Sequence, residues 1–400
     1  MRILFVSDNP LGFSAYGQDG KIISGFLSEK HEVTYFAPDY KGLPMGFDNR
    51  NLRLVGSYNS SYELINYYVE ATKPDVIITF KDPSFLPHSY LRKAAKPNAY
   101  ALWIPIVPID TSRPSPMLKK AIDGATHVIS LTPHQSQQLT DDGIPNTFIP
   151  LANETLQYTD NQLKEKRLSG RAFNYIQPYQ FVFLWIGKDL DDRKNVVQVL
   201  TAWSRYIKER PDDVLYMHTD MEGENRLNHL ANMLGIPEYN IRFTPLGMYR
   251  SGMDKEFIHT LYCMSDVLVS VGNEGWSKPT TEAAMFGLPS ISIDFAALTY
   301  TFCGGILIPC IPDDVSASNL MYGQYKACFY GDWRFEVSHF ALKEAMLEIR
   351  KLLDENPDKY KSFVIENARR FQIEPIRKKW LEFTDNLEKE LYNGNSNQNK

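Results

Sequence analysis

The sequence predicts an α/β protein made of two Rossmann-like, doubly wound domains. Three observations predict it. The chain has 400 residues, too many for one ordinary core and enough for two. Short, near-continuous apolar runs alternate with amphipathic stretches of helix length, the pattern of a parallel sheet covered on both faces. That alternation stops in a polar, irregular stretch at 152–178 and then begins again.

In the first half, RILFVSD (2–8), HEVTYFAP (31–38), PDVIITFKD (74–82), AYALWIPIVP (99–108), THVISLT (126–132) and NTFIPL (146–151) read as strands. Helices are expected between them near 17–29, 60–72, 86–95, 115–123 and 133–142. SGRAFNYIQP closes the polar stretch, so the expected domains are 1–170 and 178–373. In the second, the strands are QFVFLWIG (180–187), DVLYMHTD (213–220), NIRFTPLG (240–247), SDVLVSVG (265–272) and PSISID (289–294). Helices are expected at 194–209, 224–234, 254–264 and 279–287. From 336 to 391 the chain reads as helical throughout, and 374–391 carries Ile376, Trp380, Phe383 and Leu387 at helical spacing. The tail 392–400 reads as disordered. Two such domains in tandem offer a cleft at the carboxyl ends of their strands.

Composition narrows the function classes. Hydrophobic residues make up 43% and charged residues 23%, a globular composition. A net charge of −5 gives no reason to expect nucleic-acid binding, so an anionic ligand must be held by local groups. Cys263, Cys303, Cys310 and Cys328 form no CxxC pair and read as core thiols in a reducing compartment. The first residues, MRILFVSDNP, read as a buried strand and not a signal peptide, and no apolar run is long enough to span a membrane. The protein is expected to be soluble and cytoplasmic, with a peripheral membrane contact left open.

Three loops carry candidate chemistry. GNEGWSKPTTEAAMFGLPSISID (272–294) holds Glu274 just after a strand and Glu282 just inside the following helix. Pro279 suits the first helical turn, which puts Glu282 in or near that turn, facing the same cleft as Glu274. The N–H groups of Trp276, Ser277, Lys278, Thr280 and Thr281, with Pro279 among them supplying none, then surround an anion site at a helix N-terminus. Alternatively, a first-turn glutamate only stabilises the helix dipole. WIGKDLDDRKNVVQVLTAW (185–203) clusters Lys188, Arg193 and Lys194 around one loop of an acidic chain. Such cations suit a diphosphate, unless Asp189, Asp191 and Asp192 merely balance them in a solvated loop. The same Asp-Leu-Asp (189–191) matches a metal-binding pattern, but adjacent cations compete with a metal there. DNPLGFSAYGQDG (8–20) sets Gly12 and Gly17 in a loop that lets backbone approach a ligand or simply turns; its spacing fits neither a Walker loop nor GxGxxG. His127 and His134 read as structural, and His218 with Asp220, Glu222 and Glu224 reads as a helix-capping loop. Tyr16, Trp276 and Tyr300 either line the expected cleft, free to stack on a ligand, or fill the core.

Taken together, the G-K-x5-K loop (Gly187, Lys188, Lys194), the E-x7-E loop and helix (Glu274, Glu282) and the glycine-bearing first loop resemble the retaining nucleotide-sugar glycosyltransferases of the GT-B fold, glycosyltransferase family 4 in particular. EGWSKPTTEAAMFGLPSIS is similar to that family's E-G-F-G signature, HEVTYFAP to its His-Glu-Val strand, THVISLTPHQSQQLTDDGIP to its last N-domain unit and FVFLWIGKDLDDRKN to the start of its C-domain. The helix 374–391 resembles the crossover helix that returns to the N-domain. The resemblance implies that Glu282 takes the ribose hydroxyls, Glu274 faces the transferred sugar, and Lys188 and Lys194 neutralise the diphosphate, with Gly12's loop closing on it. Two fixed cations there remove the need for a metal, and no cofactor is implied beyond a UDP- or GDP-linked sugar. PIVPIDTSRP (105–114) resembles a P-I-D segment of some members, which makes Asp110 a candidate contact to donor or acceptor; otherwise it caps a helix.

The sequence also departs from the family. Lys188 stands where the family usually has Arg, Ser277 and Lys278 replace Gly-Leu, and PLANE (150–154) lacks the usual histidine. The implied activity is hexosyl transfer with retention to an unidentified glycan, lipid or protein acceptor. A GT-B epimerase, a phosphorylase and a non-catalytic nucleotide- or sugar-binding protein are the rival readings.

Overall fold

A computed structural model describes residues 1–47, 49–58, 60–82, 91, 101–189, 192–310, 321–328 and 333–396. The chain forms two compact units. One comprises Met1–Ile109, Arg113–Glu154 and Phe371–Lys400, and the other Asp110–Ser112 and Thr155–Arg370.

The first unit holds an eight-stranded sheet. Its strands are β1 (Arg2–Val6), β2 (Glu32–Ala37), β3 (Met45–Phe47), β4 (Asn49–Gly56), β5 (Val76–Phe80), β6 (Leu102–Val107), β7 (Val128–Ser130) and β8 (Asn146–Phe148). They lie in the order β3-β4-β2-β1-β5-β6-β7-β8. Every pairing is parallel except β3 with β4. The central β5 is buried along its whole length, as an apolar strand covered on both faces must be. Sequence reading missed β3 and β4, because MGFDNRNLRLVG mixes charges and glycines with its apolar residues, of which Phe47, Leu52, Leu54 and Val55 reach the core. The helix Ala15–Ser28 follows the first loop closely. A side chain at Gly17 would meet the Asn9 carbonyl oxygen at 2.3 Å, so glycine there is a packing requirement.

The second unit holds a six-stranded, all-parallel sheet in the order β11-β10-β9-β12-β13-β14. Its strands are β9 (Val182–Ile186), β10 (Val214–His218), β11 (Ile241–Phe243), β12 (Val267–Ser270), β13 (Ser290–Ile293) and β14 (Gly305–Ile308). An antiparallel ribbon of β15 (Gly323–Ala327) and β16 (Trp333–Val337) follows. Its core is rich in aromatics, with Trp203 and Tyr206 stacked at 5.0 Å between ring centroids and Phe183 edge-on to both. Strand order reverses between β9 and β12, which opens a crevice at their carboxyl ends.

Four expectations need correction. The stretch 152–178 is not irregular: it contains the helix Asp160–Phe173, started by a capping box at Thr159 and Gln162. That helix belongs to the second unit, so the boundary lies at Glu154/Thr155 and not at 170–178. The last helix runs from Ile373 to Ser396 and belongs to the first unit, so helix replaces the expected disorder at 392–396. The region 336–391 is not helical throughout, since it opens within β16 and divides into the helices His339–Glu355, Pro357–Ala368 and Ile373–Ser396. The expected helix at 86–95 apart from Leu91, residues 99–100 of a predicted strand, Leu190 and Asp191, and residues 397–400 lie outside the described residues. Among the described residues no helix is long and apolar enough to cross a membrane.

Candidate functional site

Two loops meet at the crevice of the second unit. One leaves β9, makes a short 3-10 turn over Asp192–Lys194 and enters the helix Val196–Tyr206. The other leaves β12 and enters the helix Lys278–Met285. A pair of asparagines braces them. Asn195, at φ 52°, donates from Nδ2 to the Val271 carbonyl at 2.7 Å and to the Phe335 carbonyl at 3.1 Å. Asn273 donates to the Arg193 and Phe335 carbonyls at 3.1 and 3.0 Å and accepts from the Phe335 N–H at 2.8 Å. β16 is therefore fastened to both loops.

Held this way, Glu274 is buried between two cations. Its Oε1 takes a hydrogen-bonded ion pair from Lys194 Nζ, and its Oε2 accepts from Arg193 at 3.0 Å. Burial alone would raise the Glu274 carboxyl, but Lys194 and Arg193 outweigh it and hold the group below the ordinary carboxylate range. Burial lowers the Lys194 ammonium, with Glu274 pulling the other way. A side chain at Gly272 would lie 3.0 Å from Glu274 Oε1 and 3.1 Å from Lys194 Cδ, so the missing side chain there makes room for the pair. Asp110 adds a second carboxylate, accepting from Arg334 at 2.8 Å and lying 3.8 Å from Arg193. Burial raises Asp110, and Arg334 and Arg193 oppose that shift. The site is thus a row of alternating charge, half-buried around the buried Glu274: Lys194, Glu274, Arg193, Asp110, Arg334. Among the described residues Glu274 is the only hydrogen-bond partner of Lys194, so an ammonium with three N–H groups keeps two for a ligand.

The structure gathers some of the expected residues and disperses others. Lys194, Arg193, Glu274 and Asp110 come together. Asp110 caps no helix; it serves the arginines. Lys188 is exposed and pairs with no described residue, outside the cluster. Glu282 is the fifth residue of its helix, just past the first turn, and it accepts from the Tyr262 hydroxyl at 3.0 Å on the preceding helix, Lys255–Met264. Ser277 and Thr280 use their hydroxyls internally, in a buried triangle with Ser270 at 2.7–3.1 Å. Trp276 is buried with its ring 6.2 Å from that of Tyr300, while Lys278 and Pro279 open the helix half-exposed. Gly12 lies in the first unit, where its N–H donates to the Asn9 carbonyl at 3.0 Å.

The metal-like patterns are otherwise engaged. Asp189 is buried and accepts from Asn225 N–H at 2.8 Å and Asn225 Nδ2 at 2.6 Å. Asp220 pairs with Arg250 at 2.9 Å. Among the described residues no group of three or more His, Cys, Asp or Glu side chains is placed to hold a metal ion. Sequence reading missed Arg334, Asn195, Asn273, Gly272 and Tyr262. Gly272 and Asn195 had a signal, since each directly follows or precedes a strand or helix at the loops already singled out.

No known family profile matches the sequence. A Methanocaldococcus jannaschii protein described as an uncharacterized glycosyltransferase, MJ1059, is 25% identical over 340 residues, 77% of this chain and 78% of that protein. Among solved structures, Anabaena Alr3699/HepE in complex with UDP and glucose superposes with a TM-score of 0.65 at 14% identity, covering 96% of this chain and all of that one. The fold is GT-B. WaaG, a glycosyltransferase involved in lipopolysaccharide biosynthesis, shares the GT-B fold with a TM-score of 0.61 at 14% identity over 94% of this chain and 98% of that one. Trehalose-6-phosphate synthase, studied for glycosyl transfer with retention, reaches 0.67 at 9% identity over 96% and 99%. In sequence and in fold this GT-B chain is similar to glycosyltransferases.

Proposed function

We propose that the chain is a glycosyltransferase that moves a sugar from a nucleoside diphosphate donor, without a metal, and with retention at the anomeric carbon. The observation that carries the reading is the Lys194–Glu274–Arg193 cluster, which stands at the strand-order reversal of a GT-B fold. Lys194 and Arg193 neutralise the negative charge that grows on the departing diphosphate, the largest electrostatic demand of such a transfer. Glu274, ionised by its partners, accepts sugar hydroxyls and steadies positive charge developing at the anomeric carbon. Exposed Lys188 adds a second phosphate contact, and Glu282, shared with Tyr262, takes the ribose hydroxyls. UDP and glucose in the complex of Alr3699/HepE and the retaining chemistry studied in trehalose-6-phosphate synthase support the donor class and the stereochemistry.

Thermal unfolding in EDTA against a panel of nucleotides and nucleotide sugars tests this, with wild type, Lys194→Ala and Glu282→Ala compared. Stabilisation by one diphosphate class is expected to survive EDTA, to vanish in Lys194→Ala and to weaken in Glu282→Ala. Stabilisation by none of them, or only after metal is restored, would sink the metal-free donor site.

A further inference from the structure

A cavity of about 580 Å³ opens in the second unit, at the edge of the sheet away from the donor crevice. Phe181, Asp266 and Pro289 line it, and each directly precedes a strand, β9, β12 and β13 in turn. The cavity thus sits at the amino ends of those strands and the Lys194–Glu274 cluster at their carboxyl ends, about 15 Å along the sheet. Its volume suits a small organic ligand. The walls are apolar, with Leu163, Phe181, Phe286, Leu288 and Leu353 buried or half-buried there. Polar groups among them are engaged elsewhere. Tyr262 gives its hydroxyl to Glu282 at 3.0 Å, and Ser265 gives its own to the Leu261 carbonyl at 2.7 Å. Asp266 accepts from Arg167 at 2.6 Å and from Arg171 at 2.8 Å, and Asp354 pairs with Arg350. A sugar or a base would find little there to hydrogen-bond, whereas a hydrocarbon chain needs no such partner.

The rim is different in character. Lys164 and Lys361 line it, exposed, and neither pairs with a described residue. The stem of Lys361 lies against bare backbone, since a side chain at Gly287 would meet its Cγ at 2.4 Å and its Cε at 3.1 Å. Cys263, half-buried in the wall, marks where the charges converge. Burial pushes its thiol up to about 11, and Lys166, Lys361 and Arg167 oppose that rise while Glu256 adds to it. Lys166 and Arg167 already have carboxylate partners in Glu256 and Asp266, which leaves Lys361 and Lys164 with charge to spare. Of the lining carboxylates, Asp160 alone has no described partner; it is exposed, one turn before Lys164 on the same helix. Unpaired cations therefore outnumber unpaired acids at the mouth of an apolar cavity, which selects for a negative head on an apolar body.

We propose that this cavity binds a single-chain amphipathic anion taken from solution, a carboxylate or phosphate head on a hydrocarbon tail. The tail fills the apolar walls, and the head meets Lys164 and Lys361 at the rim. The site is independent of the donor reading. Calorimetric titration of the whole chain tests it, with decyl phosphate, decanoate, ethyl phosphate and decyltrimethylammonium as probes, each below its micellar concentration. One decyl phosphate or one decanoate is expected to bind per chain, and the tighter of the two names the head. Ethyl phosphate lacks the buried methylenes and should bind more weakly by about ten-fold or more, as should the cationic decyl probe. Reversing both rim charges, Lys164→Glu with Lys361→Glu, alters exposed side chains that bond nothing described, so the fold is kept. That double variant should weaken the decyl anion about ten-fold, whereas Lys194→Ala, at the donor crevice, should bind it like wild type. No binding of either decyl anion, equal binding of the decyl cation, equal binding of ethyl phosphate, or wild-type affinity in the double variant each overturns the site. Loss in Lys194→Ala alone overturns it too, by placing the probe in the donor crevice. So does binding to phosphatidylglycerol vesicles without binding of monomeric decyl phosphate, which marks a membrane-facing surface instead.

Discussion

Glu274 shows how one residue answers to both stability and chemistry. Truncating it in Glu274→Ala strands Lys194 among buried groups, a loss of about 3 kcal/mol that urea unfolding at pH 7 measures, and transfer falls with it. The sign with pH follows from its lowered folded value. The pair's contribution is complete above the unfolded carboxyl near 4.3 and is lost as pH falls through the lower folded value. The gap between wild type and variant therefore narrows only in acid below about pH 4. At this scale the sequence was half legible. E-x7-E and the cation pair Arg193-Lys194 were visible as local spacing, and both meet at Glu274. Arg334 was not, because it reaches Asp110 across 224 residues. Glu282 was legible as a residue in or near the first turn, and at the fifth helical position its side chain meets Tyr262 of the preceding helix. His218 read as part of a helix-capping loop, and only the buried Thr244 and Tyr216 beside it reveal what its ring bonds.

The elements most easily read were those with apolar strands, such as β5 and β9, whose burial on both faces leaves a single polar residue, Thr79, to blur the pattern. The helix Asp160–Phe173 was unreadable for the opposite reason. Its buried positions are Gly170 and Arg171, neither an apolar marker. Arg171 is buried by bonding Asp266 at 2.8 Å and the carbonyls of Met264, Pro178 and Gln180 at 2.8–3.0 Å. Gly170 admits the helix to close range, since a side chain there would lie 2.7 Å from Thr260 Cγ2. The helix start depends on reciprocal bonds, with the Thr159 N–H donating to Gln162 Oε1 at 2.8 Å and the Gln162 N–H donating to Thr159 Oγ1 at 3.4 Å. Thr159→Ala should lower stability by about 1 kcal/mol in denaturant titration and leave nucleotide affinity unchanged, because the donor loops lie on other elements. The ribbon β15–β16 was equally hidden, yet its Phe335 backbone ties Asn195 to Asn273 and so shapes the site from outside the parallel sheet.

For the whole molecule, two units with separate cores should melt as two calorimetric transitions. A nucleoside diphosphate should raise the transition of the second unit, which carries every donor contact argued above except Gly12. A single transition, or a rise confined to the first, would contradict that assignment. The restart of the strand rhythm made the two units legible in advance. Their border was displaced because a charged helix looks like a linker.

The first unit begins the chain and also ends it. Its helix Ala15–Ser28 leads into Glu29 and Lys30, which pair with Arg377 and Asp385, while Ile376, Trp380 and Leu387 of the final helix are buried. On a ribosome that order is consequential. The second unit has all its chain once Arg370 has emerged, whereas the first still lacks the helix that brings Ile376 and Trp380 into its core. Domains usually mature in the order they are made; here the half synthesised first is the half completed last.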